Sequence, residues 1–139
     1  MSEETGGEPS AGGHRVKKIL VVDDDPSMRF MLRLIFEGTG YEVSEAHHGA
    51  AALSHLKESL PDLLVTDMMM PVMDGGELIQ QLRSDPRTAG LLILVVSGNP
   101  DAQEVGGNAD AVMGKPFLPA DLRATVNSLL GAGNLDATV

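Results

Sequence analysis

Leu63-Leu64-Val65-Thr66-Asp67-Met68-Met69-Met70-Pro71-Val72-Met73-Asp74-Gly75 opens as an apolar run and ends as a polar loop. The run is bounded by Asp62 and Pro71, so it reads as a short buried strand. Strands buried on both faces of a parallel sheet lose the apolar-polar alternation, as this one does. Asp67 then stands where the strand stops, at the carboxyl edge of a central strand. Open α/β sheets place their chemistry at that edge. Asp74-Gly75 marks the start of a following helix.

Working toward the N-terminus, Ile19-Leu20-Val21-Val22 repeats the pattern, an apolar run that stops at Asp23-Asp24-Asp25. Asp25-Pro26 reads as a helix cap and first turn. Met28, Met31, Leu32 and Ile35 follow at helical spacing, which predicts a first amphipathic helix closed by Gly38 and Gly40. Tyr41 to Ala46 alternates as a sheet-edge strand would. Ala52, Leu53, Leu56 and Leu60 predict a second helix, stopped by Pro61.

Toward the C-terminus, Leu78, Ile79 and Leu82 predict a third helix that breaks at Asp85-Pro86. Leu91 to Ser97 is the longest apolar run, and Ala109 to Met113 is the fifth strand candidate. Pro119 opens a last helix with Leu122, Val126, Leu129 and Leu130 on one face. Strands alternating with helices imply a doubly wound α/β fold, a five-stranded parallel sheet with right-handed crossovers. In the flavodoxin-like order 2-1-3-4-5 the first and third strands are neighbours. Asp23, Asp24 and Asp67 then share one crevice, with Ser97 and Lys115 arriving from strands four and five.

Bulk composition limits the alternatives. The chain has 139 residues and is 42% hydrophobic, enough for one domain with a core. Aromatic residues are 3%, so that core is aliphatic and methionine-rich. Ten Lys and Arg against 20 Asp and Glu give a net charge of −10, which argues against nucleic-acid and anionic-membrane partners. Absence of Cys removes disulfides, zinc-thiolate sites and thiol nucleophiles. No run approaches a membrane span, and the N-terminus lacks an apolar signal region, so the expected compartment is cytoplasmic. Residues 1–14 read as a flexible tail, 15–131 as the domain and 132–139 as a short tail. With so few residues after Leu130, no output domain is expected within this chain.

Three carboxylates in one crevice repel one another, and a hard divalent cation relieves that. Mg²⁺ characteristically takes one or two carboxylates together with phosphate oxygens. A carboxylate can also serve as nucleophile and form an aspartyl-phosphate. A lysine and a serine hydroxyl can meet the phosphoryl oxygens.

In these motifs the chain resembles the receiver domain of two-component response regulators. Ile-Leu-Val-Val-Asp-Asp-Asp-Pro (19–26), Thr-Asp-Met-Met-Met-Pro-Val-Met-Asp-Gly (66–75), Val-Val-Ser (95–97) and Lys-Pro-Phe (115–117) carry the resemblance, in order and at strand ends. Small chemotaxis regulators are the nearest template. The resemblance implies that Asp67 is the phosphoacceptor. It implies that Asp24 ligates Mg²⁺, with Asp23 beside it, the Asp67 carboxylate and the backbone carbonyl of Met69. It also implies that Lys115 contacts the phosphoryl group and that Ser97 swings toward it. The phosphoryl group would come from a histidine kinase or phosphotransfer protein, and a downstream protein partner would read the outcome. The implied module catalyses its own phosphorylation and is not a turnover enzyme, as a monomer or weak dimer.

Three departures from the family pattern stand out. Val112 occupies the position where an aromatic switch residue is usual. Ser97 to Lys115 is short and contains Gly106-Gly107, so the fourth helix should be short or absent. Met69 offers no polar group to position water, which implies slow loss of the phosphoryl group. The first two motivate a rival reading, a phosphorylation-independent interaction module on the same fold. A Mg²⁺-dependent phosphatase is a third reading, disfavoured because Met68, Met69 and Met70 follow Asp67 where a second acid would be needed. Bland readings also apply. Methionines 68–70 and 73 should fill gaps. His14, His47, His48 and His55 should face solvent. Arg29 and Arg33 should lie on the outer side of the first helix.

Overall fold

The computed structural model describes residues 16–98 and 108–131. The elements are β1 (Lys18–Val22), α1 (Pro26–Gly38), β2 (Glu42–Ala46), α2 (Gly49–Glu58), β3 (Leu63–Thr66), α3 (Gly75–Ser84), β4 (Leu92–Ser97), β5 (Ala111–Gly114) and α4 (Pro119–Leu130). All neighbouring strands are parallel, in the order β2-β1-β3-β4-β5. This is the expected flavodoxin-like arrangement. The expectation of a short helix after Ser97 falls on residues 99–107, outside the described residues.

Each central strand sends alternate side chains to opposite faces. Leu20, Val22, Leu64, Ile93 and Val95 pack with Leu56 of α2 and Leu78, Ile79 and Leu82 of α3. Ile19, Val21, Leu63, Val65, Leu94 and Val96 pack with Leu32 and Phe36 of α1 and Leu122, Val126 and Leu130 of α4. The sheet is therefore covered on both sides, which explains why β1, β3 and β4 read as unbroken apolar runs. Two loop methionines, Met68 and Met70, are buried in the layer under α2 and α3. Their unbranched thioethers fill the gap between strand ends and helices.

Local chemistry sets the helix starts. Asp25 Oδ1 accepts from the Ser27 amide at 2.9 Å, with Pro26 opening α1. Asp74 and Glu77 form a reciprocal capping box at α3. Three details differ from the expectations. Met31 is exposed and Phe36 is fully buried, so the buried face of α1 is turned by about one residue from the predicted stripe. Helix α2 stops at Glu58, which leaves Leu60 exposed beyond its end. His48 is not a free surface residue, because its Nδ1 accepts from the Ala51 amide at 3.0 Å and caps α2.

Candidate phosphoacceptor site

Strand register builds the site. Val22 pairs with Thr66, so the next residues, Asp23 and Asp67, leave β1 and β3 at one level. The amide of Asp67 donates to the Val22 carbonyl at 3.0 Å, and that of Asp23 to the Ala46 carbonyl at 3.2 Å. Both acids are thus anchored by main chain as the ladder ends. Thr66 pairs with Val95, and Val95 with Val112. Lys115 therefore leaves β5 two residues beyond the level of Asp67, and its long side chain must reach back.

It does reach back. Lys115 Nζ lies 3.4 Å from Asp67 Oδ2 and 3.6 Å from Asp23 Oδ2. The Lys115 amide donates to the Ser97 carbonyl at 2.8 Å, so Ser97, buried at the end of β4, sets where that lysine begins. Asp23, Asp24 and Asp67 each offer an oxygen within 4.8 Å of the others. Asp23 is 2% exposed and Asp67 9%, whereas Asp24 faces solvent.

Burial holds the Asp23 carboxyl above its ordinary range. The Asp25 amide, which donates to Asp23 Oδ1 at 2.9 Å, and the Lys115 ammonium oppose that shift. Neighbouring Asp67 and Asp24 add to it. A desolvated carboxylate facing two others, with one shared lysine, is a donor set suited to a hard cation. The oxygens of Asp23, Asp24 and Asp67 fit Mg²⁺ in kind and number.

The loop after Asp67 is braced by contact. The Met69 amide donates to Asp67 Oδ1 at 3.3 Å, and the Met69 side chain is 72% exposed at the rim. Gly75 donates to the Met68 carbonyl at 2.9 Å. A Cβ on Gly75 would press on the Asp67 carbonyl and lie 2.9 Å from Met68 Cα. Close backbone approach is the physical reason for glycine after Asp74.

Four predicted side chains, Asp23, Asp24, Asp67 and Lys115, are brought together. Ser97 joins them through its carbonyl and its place at the adjacent strand end, and Met69 through its amide. Val112 packs against the core layer beneath. Arg29 was missed. It is not on the outer side of α1: its Nη1 donates to the Asp23 carbonyl at 2.7 Å and its Nε to Glu45 at 3.0 Å. Glu45, directly before Ala46-His47-His48, gave no signal for this contact, because the other partner of Arg29 is a backbone oxygen. A separate open cavity of about 710 Å³ lies between α2 and α3, lined by Leu53, Leu56, Lys57, Gln81 and Arg87 among others. It contains none of the predicted site residues and mixes both signs of charge.

A parallel sheet with an acid pocket and a lysine at its carboxyl edge defines a phosphoacceptor-type α/β module. Residues 19–127 match the response regulator receiver domain, and the chain belongs to that family, the phosphoacceptor module of two-component signalling. Among its relatives is the DNA-binding response regulator MtrA of Mycolicibacterium smegmatis, 37% identical over 82% of this chain and 50% of MtrA. The chain thus spans about half the length of the curated relatives it matches. The chemotaxis response regulator CheY4 of Vibrio cholerae is similar in structure, with a TM-score of 0.78 and 30% identity over 83% of this chain and 99% of that one. TrrA of Thermotoga maritima, solved in complex with Mg²⁺ and BeF, gives a TM-score of 0.77 at 28% identity over 82% of this chain and 99% of that one. No helix among the described residues is long and apolar enough to cross a membrane.

Proposed function

We propose that Asp67 accepts a phosphoryl group from a histidine kinase or phosphotransfer protein and that the change is read by a downstream protein. The observation that carries this is the Asp67 carboxylate, held within 3.4 Å of Lys115 Nζ and within the three-acid cluster. One Asp67 oxygen attacks phosphorus, the bond from phosphorus to the donor breaks, and the donor leaves with that electron pair. Asp23, Asp24, Asp67 and the Met69 carbonyl would hold Mg²⁺, which when bound offsets charge on the phosphoryl oxygens. Lys115 neutralises a further oxygen, and the Ser97 hydroxyl donates to another. Main-chain anchoring of Asp23 and Asp67 means that little reorganisation is needed on reaction.

The module turns over no metabolite, because the acceptor is its own side chain. It works in the cytoplasm, where such donors act. A net charge of −10 supports protein partners over nucleic acid for this segment. Val112 favours one alternative, a constitutive binding module, since no aromatic couples the site to the surface there.

Intact mass after incubation with a small acyl phosphate and Mg²⁺ tests the proposal, with wild type beside Asp67→Asn. A single acid-labile phosphoryl adduct on wild type alone is expected. A folded wild type that gains no adduct would point instead to the constitutive module.

A further inference from the structure

The peptide group between Asp23 and Asp24 joins the two acids that leave β1. Its orientation sets where both carboxyl groups start. Its carbonyl, that of Asp23, accepts from Arg29 Nη1 at 2.7 Å. The same guanidinium donates through Nε to Glu45 Oε1 at 3.0 Å. Glu45 adjoins Ala46, whose carbonyl accepts from the Asp23 amide at 3.2 Å. Asp23 is therefore gripped at both its N–H and its C=O by the end of β2, once directly and once through Arg29.

Arg33 gives the comparison that separates this role from simple ion pairing. Arg33 Nη1 donates to Glu45 Oε2 at 2.8 Å and its Nε to Glu37 at 2.9 Å. Both of these bonds go to glutamate side chains, and neither reaches the Asp23 backbone. Arg29 is 18% exposed and Arg33 42%. The more buried of the two is the one that reaches the acid-bearing peptide. A guanidinium suits the task, since its planar fork can hold two acceptors at fixed angles and an ammonium holds them less rigidly.

We propose that Arg29 is a positioning residue for the metal-binding acids: it fixes the Asp23–Asp24 peptide, with Glu45 as its anchor, and so sets the affinity of the pocket for a divalent cation. This rests on the Mg²⁺ reading above. Groups that orient metal ligands without touching the metal typically change affinity 10–100-fold when removed.

Mg²⁺ titration of the full chain, followed by amide shifts at residues 23–25 and 67–69, tests it. Arg29→Met should weaken Mg²⁺ binding about tenfold or more, at a temperature where the variant remains folded. Arg29→Lys should recover part of that, and Arg33→Met should stay within about twofold of wild type. In metal-free protein, the Asp24 amide nitrogen belongs to the peptide that Arg29 holds. Its shift should move in Arg29→Met and stay in Arg33→Met, a difference that general destabilisation would not produce. If Arg29→Met does not fold, Glu45→Gln serves in its place. It removes the anchor charge and keeps the guanidinium, and weaker Mg²⁺ binding is expected. Equal affinities in Arg29→Met, Arg33→Met and wild type would overturn the inference and leave the site intact. A wild type whose acid-loop amides ignore Mg²⁺ would refute the site assignment first, and this inference with it.

Discussion

Asp23 carries a conflict that the fold does not resolve by itself. Its carboxyl is pushed up by burial, while the Asp25 amide and Lys115 favour the ionised form. A carboxyl whose folded value exceeds its unfolded value costs the fold nothing below the unfolded value. The cost grows as pH rises through the folded value. Without metal, the protein should therefore lose stability from this group as pH rises from about 4 toward neutrality. Asp23→Asn keeps an oxygen for the Asp25 amide and removes the charge. In chelator at pH 7 it should raise Tm by about 2–5 °C, and the gain should shrink in melts at lower pH. Saturating Mg²⁺ should reverse the order, because the ligand it needs is gone. A variant that melts below wild type in chelator at pH 7 would contradict this account of the site. Gly75 makes a second residue-scale case. Alanine there must displace the Asp67 carbonyl or Met68, so Gly75→Ala should cost about 1–3 kcal/mol in denaturant unfolding. It should also slow adduct formation, since the backbone it pushes carries Asp67.

Elements divide into those written in side-chain types and those that depend on geometry. Apolar runs ending in acids, at 19–25 and 63–67, made the sheet and its acid pocket legible, because buried parallel strands cannot hide their composition. Asp25-Pro26 and Asp74-Gly75 were legible because aspartate is a preferred cap. His48 was not, since histidine is an unusual cap and its role depends on an extended backbone, φ −165° and ψ 175°. Nor was Arg29, whose partner at the acid pocket is a carbonyl that any residue could supply. Turning of α1 from Met31 to Phe36 was hidden because both positions are apolar and spacing alone fits either face. The His48 bond to the Ala51 amide makes a prediction at this scale. His48→Ala should destabilise the protein by about 0.5–2 kcal/mol, measured by denaturant unfolding. His48→Asn should keep the stability that alanine loses, because its side-chain oxygen can accept the same amide. An alanine variant as stable as wild type would mean that the bond contributes nothing beyond what water supplies to that helix end.

Across the whole molecule, the two edges of the sheet do different work. The carboxyl edge gathers like charges that the fold must hold together. The amino edge is tied by one arginine at the end of α3. Arg83 Nε donates to the Asn108 carbonyl at 2.9 Å, and Nη1 to the carbonyls of Ala89 at 2.9 Å and Leu91 at 2.7 Å. Its Nη2 donates to Asp110 Oδ2 at 3.1 Å, and the same oxygen accepts from the Ile93 amide at 2.8 Å. A single guanidinium thus joins the end of α3, the approach to β4 and the approach to β5. Bonds to a charged donor contribute about 1.5–3 kcal/mol each when sheltered, but these acceptors are partly wet and water replaces much of the loss. Arg83→Ala should therefore destabilise by about 1–3 kcal/mol in total. Arg83→Lys should recover little, since one ammonium cannot span four acceptors spread over the approaches to β4 and β5. Amide exchange at Ile93 and Asp110 should quicken first, because these two exchange backbone and side-chain bonds across the β4–β5 start. Mg²⁺ affinity should hardly change, because no acid of the pocket lies at that edge. Opposite behaviour is expected of Arg29→Met, which should change Mg²⁺ affinity more than the tie between β4 and β5. Measuring unfolding and Mg²⁺ binding on both variants therefore tests whether stability and ligand geometry are set at separate edges. If Arg83→Ala weakened Mg²⁺ binding as much as Arg29→Met does, the sheet would be transmitting strain from one edge to the other, and the two arginines would belong to one coupled system.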